Sequence, residues 1–252
     1  MMKLRTWILL LVIAVSASSC INVIEELFLN KDGSGTYHLT IDMSDLISNP
    51  MFKSMMEQQD DSTSTSSGGL FGNEVDMMNA DTSINFLAAA EKEGRTIDNP
   101  DFWKNVNINI RSDQEAGEMF TTIALDFKSL DDITYFYENL ATVVPGDEGS
   151  DMFGPGGIAP RQLAFKLQKR TLSRTSSFTA PDQDMDDETE QMMKMFFAGA
   201  TYKSVYHLPG KVKNADFAGA EVDKKIVTVE VPLTEVMEGK AEIDGKITFK
   251  KR

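Results

Sequence analysis

Three side chains in this 252-residue sequence could support thiolate or imidazole chemistry: Cys20, His38 and His207. No Gly-x-Ser-x-Gly elbow surrounds any serine, and Gly33-Ser34-Gly35 lacks that spacing and falls in a turn, so Ser-His-Asp hydrolysis is not expected. One cysteine with two remote histidines does not make a zinc cluster. Asp182, Asp184 and Asp186 match the first ligand positions of a calcium loop, but Asp187 stands where glycine is required and Met193 where the bidentate Glu belongs. That run reads as a solvated acidic segment opening a helix, with a weak surface calcium site as the alternative. Gly154, Gly156 and Gly157 precede a strand, whereas a phosphate cradle opens a helix. Carboxylate pairs for glycoside chemistry cannot be chosen among 39 acids without geometry. The expectation is a non-enzyme with no catalytic residues, no metal and no cofactor.

Cys20 is the informative position. Lys3 and Arg5 form a positive start, Trp7 to Val15 is an apolar run, and Ser16-Ala17-Ser18-Ser19 supplies small residues directly before the cysteine. This is the design of an export signal, too short to serve as a permanent span. It resembles a bacterial lipoprotein signal, although Ala17 stands where Leu is more typical. The resemblance implies cleavage after residue 19 and attachment of palmitate-type acyl chains to Cys20. Acyl chains contribute roughly 0.8 kcal/mol per buried CH2, so two or three would hold the chain to a bilayer. Ile21, rather than Asp, follows the cysteine; by resemblance to enterobacterial sorting, no inner-membrane retention signal is present and the outer membrane is expected. Glu25 and Glu26 lie beyond the position used by surface-export signals of Bacteroidota lipoproteins, leaving periplasmic and surface exposure both open. With no second cysteine, no internal disulfide can form.

The net charge is −14, and removal of Lys3 and Arg5 with the signal brings it to −16. Such a surface repels nucleic acid and anionic headgroups unless a local basic patch intervenes, so no nucleic-acid partner is expected. The sequence shows one modest patch, Lys166 to Arg174. Several of the 15 methionines group at Met51 to Met56 and Met192 to Met195. Methionine is flexible and polarizable, so such faces adapt to apolar ligands. Met51, Met55, Met192, Phe196 and Phe197 are the candidate lining of a lipid or other apolar-ligand site, with ordinary core filling as the competing reading. The alternative function is an interaction or structural module that recognises an envelope protein.

These residues must be positioned by an exported chain long enough to bury a core, read as residues 1–19 signal peptide and residues 20–252 a single α+β domain. Val23 to Leu29 and Tyr37 to Met43 predict a hairpin around Asn30 to Gly35; Tyr37, Leu39, Ile41 and Met43 face inward and His38 faces outward. Ser44 is a cap candidate, and Asn49-Pro50 a second helix start. Residues 60–80 are acidic and serine-rich, predicting a mobile loop. Ile84, Leu87, Ala88 and Glu91 predict a helix ending at Gly94. Val106 to Arg111 and Met119 to Phe127 predict two strands. Ile133, Phe136, Tyr137, Leu140 and Val144 mark one face of a helix over residues 129–144. Leu163 to Ser177 reads as one long strand, residues 192–197 as a Met/Phe-rich helix, and Tyr202 to Leu208, Ile226 to Val231 and Ala241 to Phe249 as strands, with a tight hairpin at Asp244-Gly245 as the alternative for the last. The expected architecture is a curved antiparallel sheet with helices packed mainly on one face.

The hairpin around Asp32-Gly33-Ser34-Gly35 just after the cysteine, with Tyr206-His207-Leu208-Pro209-Gly210-Lys211-Val212, Asn214 and Ile226 to Val231, resembles the LppM-type lipoprotein domain. The sequence is also similar to uncharacterised Bacteroidota lipoproteins. The resemblance covers the two ends better than the middle. The polar end Lys250-Lys251-Arg252 departs from relatives that carry a C-terminal transmembrane helix. The resemblance implies an α+β domain with a curved sheet and a relation to lipid-handling folds. It implies no catalytic residues and transfers no ligand contacts, because the matching motifs are turns.

Overall fold

A computed structural model describes residues 21–48, 79–92, 94–143, 159–178 and 197–250. The fold is α+β. Alternation sets the first hairpin: β1 (Asn22–Leu29) turns Val23, Glu25, Leu27 and Leu29 inward, and β2 (Gly35–Asp42) turns Tyr37, Leu39 and Ile41 inward. A β-carbon on Gly35 would run into the Phe28 carbonyl and the Phe127 ring, so only glycine permits this close start of β2. The short helix α1 (Ser44–Ser48) follows. Ser44 does not cap it; its Oγ accepts the Met119 N–H at 3.0 Å and ties the segment to the neighbouring strand.

Next come β3 (Asn79–Asn85), α2 (Phe86–Lys92) and the single-turn α3 (Pro100–Trp103). The helix expected to include Ile84 therefore begins at Phe86, with Ile84 in the strand before it. Asp81 to Asn85 instead adds an edge strand along β4 (Val106–Asp113), and Asn85 Oδ1 accepts the Leu87 N–H at 3.1 Å where strand gives way to helix. Gly94, at φ +70°, ends the segment as predicted. β5 (Glu118–Phe127) and α4 (Asp131–Val143) match their expected positions closely. Ser129 Oγ accepts the Asp131 N–H, and the Asp132 carboxylate accepts the N–H groups of Lys128 and Ser129.

The expected long strand at 163–177 is a hairpin, β6 (Gln162–Gln168) and β7 (Thr171–Ser177). Lys169 makes the reversal at φ +58°, a conformation its residue type does not advertise. β8 (Thr201–His207), β9 (Val212–Asp216), β10 (Glu221–Asp223), β11 (Ile226–Pro232), α5 (Leu233–Met237) and β12 (Gly245–Phe249) complete the fold. β9, β10 and α5 were not expected. Asp244-Gly245 makes no hairpin, because β12 pairs instead with β7 and β9.

The expected single antiparallel sheet is corrected on two counts. There are two sheets, an eight-stranded one ordered β10-β11-β8-β1-β2-β5-β4-β3 and a four-stranded one ordered β6-β7-β12-β9. The larger is mixed, since β1 runs parallel to β8, with Val23 opposite Tyr202 and Phe28 opposite His207. Local turn signals specify hairpins but carry no information about a partner some 180 residues away. The inner face of the large sheet meets the small one through Tyr37, Phe165, Tyr206 and Phe217, whose rings lie 5.6 to 6.5 Å apart in sequence along the interface. Farther along, α4 contributes Ile133, Phe136 and Leu140 to the same core, with Phe136 packed against Trp103. Each such side chain contributes roughly 1.5–3 kcal/mol by leaving water. Among the described residues no helix is long and apolar enough to cross a membrane.

Candidate functional site

Two inward-facing strand positions carry charge where the pattern calls for apolar residues. Glu25 lies between Val23 and Leu27 on β1, and Arg174 follows Leu172 on β7; both are buried. The sheets press the two together. Arg174 Nε donates to Glu25 Oε1 at 3.1 Å and Nη2 to Glu25 Oε2 at 3.0 Å, a bidentate pair. Tyr202 OH adds a hydrogen bond to Glu25 Oε2 at 2.7 Å. Arg174 Nη1 donates to Ser176 Oγ at 2.7 Å, Asp244 Oδ1 at 2.8 Å and the Ile243 carbonyl at 3.3 Å. Asp244 also accepts from the Ser176 backbone and hydroxyl, closing a network that runs from the core to the surface.

Electrostatics keep the guanidinium of this centre charged and its phenols neutral. Burial opposes the Arg174 charge, but Glu25, aided by the neighbouring tyrosines, outweighs it and holds the guanidinium well above its ordinary range. Burial raises the phenols of Tyr37, Tyr137, Tyr202 and Tyr206, so they are proton donors rather than bases. Tyr37 and Tyr137 share a 2.7 Å hydroxyl contact. Ser204 Oγ and Tyr206 OH, on the same inner row of β8, have no hydrogen-bond partner among the described residues. The arrangement is a rigid polar pivot between the sheets.

A surface groove of about 860 Å³ opens beside this pivot, lined by Arg174 and Asp244, by Phe178 and Phe217, and for the rest mostly by polar and small residues such as Ser173, Ser176, Asp216 and Lys246. That volume falls in the range of small-molecule sites. Phe178 leaves the end of β7 and packs edge-on against Tyr202 at 5.7 Å. The Met/Phe-rich segment follows it in the chain.

Of the sequence-derived candidates, Cys20, Met51, Met55, Met192 and Phe196 lie outside the described residues, as do the Asp182 to Asp187 run and nearly all of the 60–80 segment. Phe197 is described, and it packs half-buried against the core. His38 faces outward as expected; Phe28 is T-stacked with it at 5.5 Å and stacked face to face with His207 at 4.1 Å. His207 Nε2 sits 3.3 Å from Glu26 Oε1. Burial lowers the His38 pKa against the opposing pull of Glu26 and Asp126. No group of three or more His, Cys, Asp or Glu suited to a metal ion occurs among the described residues. The basic patch expected at Lys166 to Arg174 loses Arg174 to the core. Sequence reasoning missed the Glu25–Arg174 pair, although a charge on the apolar side of two alternating strands was its visible signal.

No protein-family profile matches the sequence, and no curated protein matches it. Among solved structures, the folded domain of Mycobacterium tuberculosis LppM, determined by NMR, is similar over 92% of this chain and 92% of its own, at TM-score 0.43 and 8% sequence identity.

Proposed function

We propose that this chain is a non-enzymatic envelope lipoprotein, anchored through acyl chains on Cys20, that binds a lipid or other apolar ligand in the groove over the Glu25–Arg174 pivot. The observation that carries the reading is the groove itself, which sets the rings of Phe178 and Phe217 among polar side chains, with Arg174 locked in place by Glu25. Apolar contact there contributes roughly 25 cal/mol per Å² before the costs of binding. The Met/Phe-rich stretch around Met192 and Phe196 follows Phe178 in sequence, and in this reading it supplies further apolar cover. The outer membrane is the proposed location. An interaction module would instead require an exposed apolar patch, and among the described residues Val222 is the one large exposed hydrophobic.

Anchorage and binding are tested together by growing cells on tritiated palmitate and then on a photoactivatable fatty acid. Label on the wild-type chain, absent from Cys20→Ser, supports the anchor. Photo-adducts on peptides containing Phe178 or Phe217 support the groove, and adducts confined to residue 20 contradict it.

A further inference from the structure

The chain is strongly acidic, yet one end of the fold gathers cations. The β1–β2 turn brings Lys31, the β6–β7 turn brings Lys169 and Arg170, and the end of β12 brings Lys250, all around a second groove of about 480 Å³. All four are exposed, and none has an ion-pair partner among the described residues. The scaffold beneath them is fixed by backbone. The Phe249 N–H donates to the Arg170 carbonyl at 3.0 Å and the Lys250 N–H to the Lys211 carbonyl at 2.8 Å. A β-carbon at Gly210 would collide with the Lys250 carbonyl, so the segment after β8 lies against the end of β12 only with glycine there. Phe249 and Leu167 provide an apolar floor. Asp32, next to Lys31 in the chain, is not part of the groove lining, and its Oδ1 accepts the Ser34 N–H and hydroxyl.

We infer that this groove is a binding site for a phosphate-bearing small molecule. Four unpaired cations around one concavity suit a phosphomonoester dianion, which several N–H donors can chelate at once. A long polyanion fits poorly, because beyond a Debye length of about 8 Å it meets the acidic remainder of the surface. The groove lies at the Leu29 end of β1, and the eight residues of that strand, starting at Asn22, span about 25 Å. If Cys20 is the anchor, the Asn22 end of β1 is the one held at the bilayer, which favours a soluble ester over a headgroup of the anchoring leaflet.

The test is equilibrium dialysis of radiolabelled glycerol 3-phosphate against the full chain in neutral detergent, at low and at raised salt. The expected result is saturable, salt-sensitive binding of one molecule per chain, weakened about tenfold or more by Arg170→Glu with Lys250→Glu and unchanged by Lys240→Glu. An unchanged melting temperature in the double variant separates loss of the site from loss of the fold. Absence of saturable binding, or binding that survives the double variant, overturns the site. Displacement of the label by phosphatidylglycerol in the micelles at lower phosphate concentration assigns the site to a lipid headgroup and overturns the soluble ligand. Binding of phosphate at this groove is independent of the groove over Arg174, whereas the choice of a soluble over a lipid-borne phosphate rests on Cys20 as the anchor.

Discussion

Glu25 and Arg174, 149 positions apart, form a bidentate ion pair with side chains 0% and 1% exposed, and that pair joins the two sheets. Removal of one partner leaves the other charge buried and unmatched, at a cost of about 3–5 kcal/mol. Arg174→Met and Glu25→Gln are each expected to lower the free energy of unfolding in urea by that order. The double variant Glu25→Leu with Arg174→Met is expected to recover most of the loss, because matched apolar replacements leave no orphan charge. Equal and additive losses would show that the two side chains contribute independently.

Local periodicity made the β1–β2 hairpin and α4 legible: Tyr37, Leu39 and Ile41 alternate, and Ile133, Phe136 and Leu140 recur at helical spacing. The parallel contact of β1 with β8 was not legible, since nothing in either strand encodes its distant partner. The reversal at Lys169-Arg170 hid because neither residue is a usual turn former. For the same reason the basic end was only partly visible, with Lys31 and Lys250 arriving from opposite ends of the chain. Arg174 was misread as a surface cation because charge outweighed its alternation with Leu172.

The buried tyrosines set the alkaline limit of stability. In the folded chain, burial pushes Tyr37, Tyr137, Tyr202 and Tyr206 above the ordinary value of 10.0. Unfolded phenols release protons near pH 10 while these four retain theirs, so stability is intact below that pH and falls as the pH rises further. Titration followed at 295 nm is expected to show their phenolate absorbance only together with loss of the circular dichroism signal. Absorbance from all four before unfolding would contradict their burial.

His38 sets a gentler dependence in the acid direction. Burial depresses its folded pKa below the ordinary 6.5, so its contribution to stability is present above that value and declines as the pH falls through the folded pKa. Melting temperatures of wild type and His38→Gln should converge between pH 7 and pH 5 as the wild type loses this contribution. A difference that stays constant across this range would show that His38 does not couple folding to protons.

Native mass spectrometry of a chain beginning at Asn22, expressed in the periplasm and followed by lipid extraction, tests the central claim most directly, because the acyl anchor is then absent. The account predicts a co-purifying lipid or other apolar molecule at one per chain, lost in Phe178→Asp while the melting temperature stays within a few degrees. A folded, ligand-free chain would contradict it, as would a ligand retained in full by Phe178→Asp.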